Sequence, residues 1–318
     1  MERDADFLGR YRSISGKLKR RFLRKPNVAE AIGQFNALSK VLEVQECSQY
    51  AGLCCLAMAR CEHTLANAPG ESSALIDAAQ HFLEAENIDQ STSCPNFEEH
   101  LSAAVNCYGH AVKVHLEQKQ PALAASLCLR LANSLKGLNK AGEASLHYQR
   151  AAHLQYQSPL DCLHSLNQVA ACKIELCDYD AALTVLTEME YLARERMTVG
   201  LGGRPVGAFM DILGNCEISR VLLLMLLKPT PQRIRPEHAQ TLERYSWESS
   251  EDTTPDCLSE TMFLLLQSLV MACQSRDIEA LTALQQDLWP LLSSTHIHLL
   301  HLIIKTLTNP PVLSMEET

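Results

Sequence analysis

The chain has 318 residues, 47% apolar and 20% charged, with a formal net charge of −9. That length and apolar content support a packed core, and the acidic balance argues against nucleic acid as the main partner. The longest uninterrupted apolar run, Val221 to Leu227, is far too short to cross a bilayer.

Almost every segment reads as helix. The first helix runs from about Asp6 to Lys25, with Phe7, Tyr11, Ile14, Leu18 and Phe22 as an apolar stripe at helical spacing. Pro26 ends it, and Asn27 with Glu30 forms a capping box for the next helix. Helices follow at about 28–45, 47–67 and 71–88, the last two parted by Asn67-Ala68-Pro69-Gly70, with a loop over Gln90 to Pro95. A second run covers 97–118, 121–137, 140–157, 159–176 and 179–197. Its breaks fall at Gln120-Pro121, Asn139, Ser158-Pro159 and Cys177-Asp178-Tyr179. Residues 198–207 form a Gly-rich linker. Helices then resume at about 208–228, 236–247, 258–274, 277–292 and 296–308, with an acidic loop from Glu248 to Asp256 and a disordered tail over 309–318. No stretch alternates with period two, so the fold class is all-α.

A repeat gives the architecture. Ala-x3-Tyr-x2-Ala occurs at Ala104/Tyr108/Ala111 and, 40 residues on, at Ala144/Tyr148/Ala151. A degenerate copy, Ala182/Leu186/Met189, follows after 38 more, and an out-of-phase copy, Ala78/Phe82/Ala85, precedes them. Spacings of four and three set these residues on one helix face, where small residues admit a second helix and the aromatic fills the gap. This is the pattern of stacked helical hairpins of the tetratricopeptide type, a TPR-like α-solenoid of antiparallel hairpins. Such arrays bind other proteins more often than they catalyse. The organisation expected is a basic amphipathic helix (1–26), TPR-like repeats (27–197), the linker, a C-terminal helical region of the same solenoid (208–308) and the tail.

Charge is unevenly placed. Residues 1–25 hold nine Lys/Arg against three Asp/Glu, which leaves −15 for the rest. Arg10, Arg12, Lys17, Lys19, Arg20, Arg21, Arg24 and Lys25 surround the apolar stripe. Three readings stand for this arm: a capping helix packed on its own solenoid, a contact for an acidic protein surface, or a helix lying on an acidic membrane. Tyr245 and Trp247 end a helix just before the acidic loop carrying Glu248, Glu251 and Asp252. They are read as core aromatics or as anchors of an interface whose loop meets a basic partner patch.

Sites of chemistry are weak. Gly200-x-Gly202-Gly203 lacks the preceding strand and the Gly-Lys-Ser/Thr of a phosphate loop. His296, His298 and His301 do not share one helix face, and no Glu or Cys completes a zinc set. Cys162 sits in a first helical turn, but one of 13 cysteines is expected at such a place by chance. The odd cysteine count and the apolar settings of Cys54, Cys55, Cys107, Cys128 and Cys172 suggest reduced core thiols of a cytosolic or nuclear protein. The first nine residues carry no apolar leader pattern. No enzyme, metal or cofactor is expected.

Four blocks carry a family resemblance: RYRSISGKLKRRFLRKPNVAEA from Arg10, PEHAQTLERYSWE from Pro236, LLLQSLVMA from Leu264 and HLLHL from His298. Together they resemble the family of forty-kilodalton huntingtin-associated proteins, over nearly the whole chain. The chain departs from the family where Thr198 to Gly207 replaces a long Pro-rich insert. The resemblance implies a non-enzymatic scaffold that binds and stabilises huntingtin, a giant HEAT-repeat protein, and is clasped between its end domains. It further implies a role with the early-endosomal Rab GTPase in endosome motility, and so a cytoplasmic, endosome-associated and also nuclear distribution. The rival reading is a free-standing TPR adaptor in vesicle traffic, similar to the soluble NSF attachment proteins, using the basic helix at membranes.

Overall fold

A computed structural model describes residues 7–19, 27–95, 97–197, 207–230, 232, 234–246 and 255–308. Among the described residues the regular structure is helical throughout. The helices are α1 (Phe7–Leu18), α2 (Val28–Val44), α3 (Ser48–Thr64), α4 (Ala68–Ser91), α5 (Glu99–Glu117), α6 (Pro121–Gly137) and α7 (Ala141–Leu154). They continue with α8 (Pro159–Glu175), α9 (Tyr179–Arg196), α10 (Gly207–Leu227), α11 (Pro236–Arg244), α12 (Glu260–Ser275), α13 (Ile278–Leu288) and α14 (Ser294–Thr308). A 3-10 turn, Trp289–Leu291, follows α13. The linker residues 198–206 and the tail 309–318 lie outside the described residues.

Local chemistry sets the helix ends. Pro121, Pro159 and Pro236 open α6, α8 and α11, where a missing N–H costs nothing. Asn27, Asn67, Asp178, Ser259 and Asp277 cap α2, α4, α9, α12 and α13 by accepting from the backbone N–H three residues on. At Asn27 the expected box is rearranged: the Glu30 carboxylate takes the Asn27 side-chain amide instead of its backbone N–H. Asn67 to Gly70 was expected as a break, yet the helix begins at Ala68, since Asn67 caps it and Pro69 fits the first turn. Seven helices share one device at their opposite ends. Glu46, Ala66, Ser93, Lys119, Asn139, Cys177 and Arg276 all take positive φ near 55°. In each case the next N–H donates five residues back, as in Cys47 to Leu42, Gln120 to His115 and Asp178 to Lys173. This is the Schellman ending, made here with residues other than glycine.

The chain divides into two compact units, Met1–Gln155 and Tyr156–Thr318. In the first, each helix packs on the next in sequence, from α1 on α2 through to α6 on α7. Ala104, Tyr108, Ala111, Ala144, Tyr148 and Ala151 are buried, as are Ala78, Phe82 and Ala85. Gly52 of α3 lies under the Phe82 ring, where a Cβ would come within 3.0 Å of it. The Tyr148 hydroxyl donates to Asn133 Oδ1 at 2.5 Å, tying α7 to α6.

The second unit is built around α10. Val221 to Leu224 are fully buried, and α8, α9, α11, α12 and α14 all contact this helix. A helix apolar on every side is stable only when enclosed. Ala182, Leu186 and Met189 of α9 are buried in this unit. Gly214 brings the Cys257 carbonyl to 2.8 Å from where a Cβ would stand, so α10 meets the approach to α12 at backbone distance.

Candidate interaction site

The basic helix α1 spends its apolar stripe on its own unit. Ile14 is buried in a cluster with Ala31, Phe35, Leu38, Leu42, Ala51, Cys54, Ala57 and Cys61, and Phe7, Tyr11 and Leu18 pack against it. Phe7 stacks on Tyr50 at 4.6 Å, and Tyr11 meets Phe35 at 5.2 Å. Arg10, Arg12, Lys17 and Lys19 are exposed. Arg20, Arg21, Arg24 and Lys25 lie outside the described residues. Lys17 donates to Gln34 Oε1 at 3.0 Å and stands 3.8 Å from Glu30. Arg10 borders a groove of about 330 Å³ with Ser13, Ile14, Gln34, Ala37, Leu38 and Val41.

Tyr245 requires a correction. It is not an anchor at an interface: its exposure is 0% and its ring lies 5.2 Å from Phe263. Its hydroxyl donates to Glu217 Oε1 at 3.2 Å. Burial, and next the Glu217 carboxylate, push the phenol far above its ordinary range. Trp247, Glu248, Glu251 and Asp252 lie outside the described residues.

Around Tyr245 runs a buried ionic network that the sequence reading missed. Arg220 and Glu217 of α10 are each 3% exposed. The Arg220 guanidinium pairs with Glu190 of α9, approaches Glu217 Oε2 at 3.6 Å and donates to Thr241 Oγ1 of α11 at 2.9 Å. Arg244 of α11 donates to Glu217 Oε1 at 2.7 Å, and Arg194 of α9 donates to Glu190. The network fastens α11, a short helix of mean polar character, to the apolar α10. A signal was present: Glu217 and Arg220, one turn apart, stand directly before the apolar run Val221 to Leu227.

Histidine and cysteine positions follow helix geometry. His296 is buried while His298 and His301 are exposed. Burial pushes His296 down to about 4, partly offset by a hydrogen bond to the Asn215 backbone, and its Nε2 is 2.8 Å from Ser219 Oγ. Cys162 is buried and burial raises its thiol pKa. Cys54 and Cys216 are pushed up to about 12 by the same cause. Thiols of this kind hold little thiolate near neutral pH. Among the described residues, no three His, Cys, Asp or Glu side chains are placed to hold a metal ion, and no helix is long and apolar enough to cross a membrane.

Two further grooves lie in the first unit. One, of about 620 Å³, runs between α4 and α6 over Tyr108, with Gln80, Asn87, Arg130 and Asn133 along it. The other, about 780 Å³, runs between α3 and α5 beside Arg60, His63, Glu71 and Lys113. In the second unit Leu264, Met271, Ile278, Trp289 and Leu291 of the α12 to 3-10 segment are exposed.

Comparison with known proteins agrees with the helical frame. Residues 19–199 match the family described as soluble NSF attachment protein, SNAP. The 40-kDa huntingtin-associated proteins of Mus musculus and Rattus norvegicus are each 43% identical to this chain, over 96% of it and 93% of their own length. The alignments span 362 and 361 positions, more than the chain's 318 residues, so the relatives carry residues that this chain lacks. With an all-α hairpin frame, a SNAP-type match over more than half its length and 43% identity over 96% of it, the chain belongs to the family of the 40-kDa huntingtin-associated proteins.

Proposed function

We propose that the chain is a non-enzymatic adaptor that binds huntingtin and stabilises its folded form. The observation that carries this is the 43% identity, over 96% of the chain, to relatives named for association with huntingtin. The exposed Leu264, Met271, Trp289 and Leu291 support it, because a large, stable interface is rich in apolar contact. Binding only the folded partner would raise that partner's stability by mass action. The test is co-expression with full-length huntingtin, then affinity capture and size-exclusion chromatography at high salt. Co-elution at one-to-one stoichiometry is expected. A soluble monomer that elutes apart from huntingtin would overturn the reading.

The finer reading places the adaptor in the cytoplasm, with a nuclear pool, and on early endosomes through a complex with the early-endosomal Rab GTPase. Capture on that GTPase in its GTP form, with and without huntingtin, tests this: recovery only in huntingtin's presence is expected. The match of 19–199 to the SNAP family favours the rival, a vesicle adaptor working at membranes. The packing of α1 weighs against its membrane arm, since Ile14, Tyr11 and Phe7 are turned onto α2 and α3. Recruitment to acidic liposomes that is lost on removing residues 1–25 would restore it.

A further inference from the structure

The seam between α1 and α2 is left open on its outer side. Lys17 meets Glu30 and Gln34 while Tyr11, nearer the start of α1, meets Phe35, so the two helices run antiparallel along it. Ser13 and Ala37 also line the seam, and their short side chains leave it unfilled. What remains is a groove of about 330 Å³ with buried Ile14 and Leu38 at its floor and exposed Ala37 on its side. Val41 at its far end is 43% exposed.

The rim is cationic. Arg10 lines the groove, and Arg12, Lys17 and Lys19 are exposed on the same helix. Among the described residues only Lys17 of these four has a carboxylate within ion-pair distance, Glu30 at 3.8 Å, with both partners more than half exposed. Such a pair is weak and yields readily to a competing carboxylate. The remainder of the chain is acidic, so this short helix is a positive island with an apolar trough beside it. Arg10 to Lys17 spans seven residues, about 10 Å, or two helical turns. A trough of that length takes two apolar side chains spaced i and i+4 on a docking helix. A lipid surface fits less well. On α1 the one strongly exposed large apolar residue is Leu8, and the apolar floor is recessed below its charged edge.

We propose that the α1–α2 groove docks a short acidic amphipathic helix of a partner protein, with apolar anchors over Leu38 and Val41 and carboxylates facing Arg10 and Lys17. The charges would steer encounter and fix orientation, and the trough would hold the complex.

The test uses the full chain and a fluorescein-labelled synthetic helix of about 14 residues, four turns, with Leu at i, i+4 and i+7 and Glu on its other faces. Saturable anisotropy is expected, weakening as salt rises from about 0.05 to 0.5 M. Arg10→Glu combined with Lys17→Glu should weaken binding at least about tenfold, as charge reversal at a steering rim does. Val41→Asp should do the same, and all three positions are exposed, so the melting temperature should hold. Four results would overturn the proposal: no saturation, equal binding of a Lys-for-Glu peptide, indifference to the Arg10/Lys17 variant, or Arg10- and Lys17-dependent recruitment to phosphatidylserine vesicles in place of the peptide. The titration contains no huntingtin, so its failure and the failure of the huntingtin reading are separate results.

Discussion

The two units solve the same packing problem by different means. In the first, helices dock through small residues at fixed spacing: Ala104, Ala111, Ala144 and Ala151 are fully buried, with Tyr108 and Tyr148 filling the space between. In the second, an apolar helix is enclosed, and a charged network made by Glu190, Glu217, Arg220 and Arg244 fastens a short polar helix to it. Short-range pattern specifies the first arrangement. Long-range polar pairing specifies much of the second. The difference predicts which unit tolerates which insult.

The largest expected effect is at Arg220. Arg220→Ala leaves Glu217 and Glu190 facing each other with little solvent, and breaking a buried pair from one side costs about 3–5 kcal/mol. Both tryptophans, Trp247 and Trp289, belong to the second unit. Their fluorescence in urea should therefore report the loss, and α11 amides should lose hydrogen-exchange protection first. Arg220→Lys, with one ammonium for three acceptors, should fall in between. A cost below about 1 kcal/mol, the range of an exposed pair, would mean the network does not hold α11.

Acid should also strike the second unit. His296 is buried neutral, at about 4 when folded against the ordinary 6.5. The unfolded chain therefore binds the proton more readily. Stability from this group is full above about pH 6.5 and is lost as pH falls toward 4, a total of about 3 kcal/mol. The measurement is urea unfolding across that window, and His296→Gln should flatten the slope there. An unchanged slope in the variant would assign the acid sensitivity elsewhere.

The corresponding insult to the first unit is steric. Ala144 has no exposed surface and stands in the α7 face that packs with α6. Ala144→Leu should cost about 1–3 kcal/mol by overpacking, read by circular dichroism, with tryptophan fluorescence little changed. A leucine accepted without loss would show that the Ala-x3-Tyr-x2-Ala spacing is not what sets the helix distance.

How far these features could be read from sequence follows from their range. Most helix bounds came out within a few residues because caps, prolines and apolar spacing are local: α6 is Pro121–Gly137 as expected, whereas α1 stops at Leu18, short of the expected Lys25, and Phe22 lies outside the described residues. The alanine–tyrosine faces were legible for the same reason. Tyr245 was ambiguous, because an aromatic before an acidic stretch suits a core or an interface equally. Only its bond to Glu217, 28 residues away, decides for the core. The Arg220 to Glu190 pair spans 30 residues and leaves no periodic trace. The α1–α2 groove depends on two short side chains, Ser13 and Ala37, meeting across a helix pair, which no single-helix pattern reveals.

The smallest predicted effect tests the helix endings, the feature least visible in the sequence. Seven Schellman turns place a residue other than glycine at positive φ, where turn-seeking by glycine finds nothing. Only Asn139 among them is a residue that accepts this conformation readily. For other L-residues the left-handed region costs about 1–2 kcal/mol, whereas glycine adds about 0.5–1 kcal/mol of unfolded-chain entropy. The conformational gain should win narrowly where the side chain does nothing else. Ala66 is such a position: it is exposed, with φ of 55° and only a methyl group to lose. Ala66→Gly should stabilise the first unit by up to about 1 kcal/mol, seen as a higher urea midpoint at unchanged m-value. Asn139→Gly should gain less, since asparagine already tolerates its φ of 59°. If both variants lose stability equally, unfolded-chain entropy outweighs turn strain. The hairpin turns would then be held by their backbone hydrogen bonds and packing alone, with no strain to relieve.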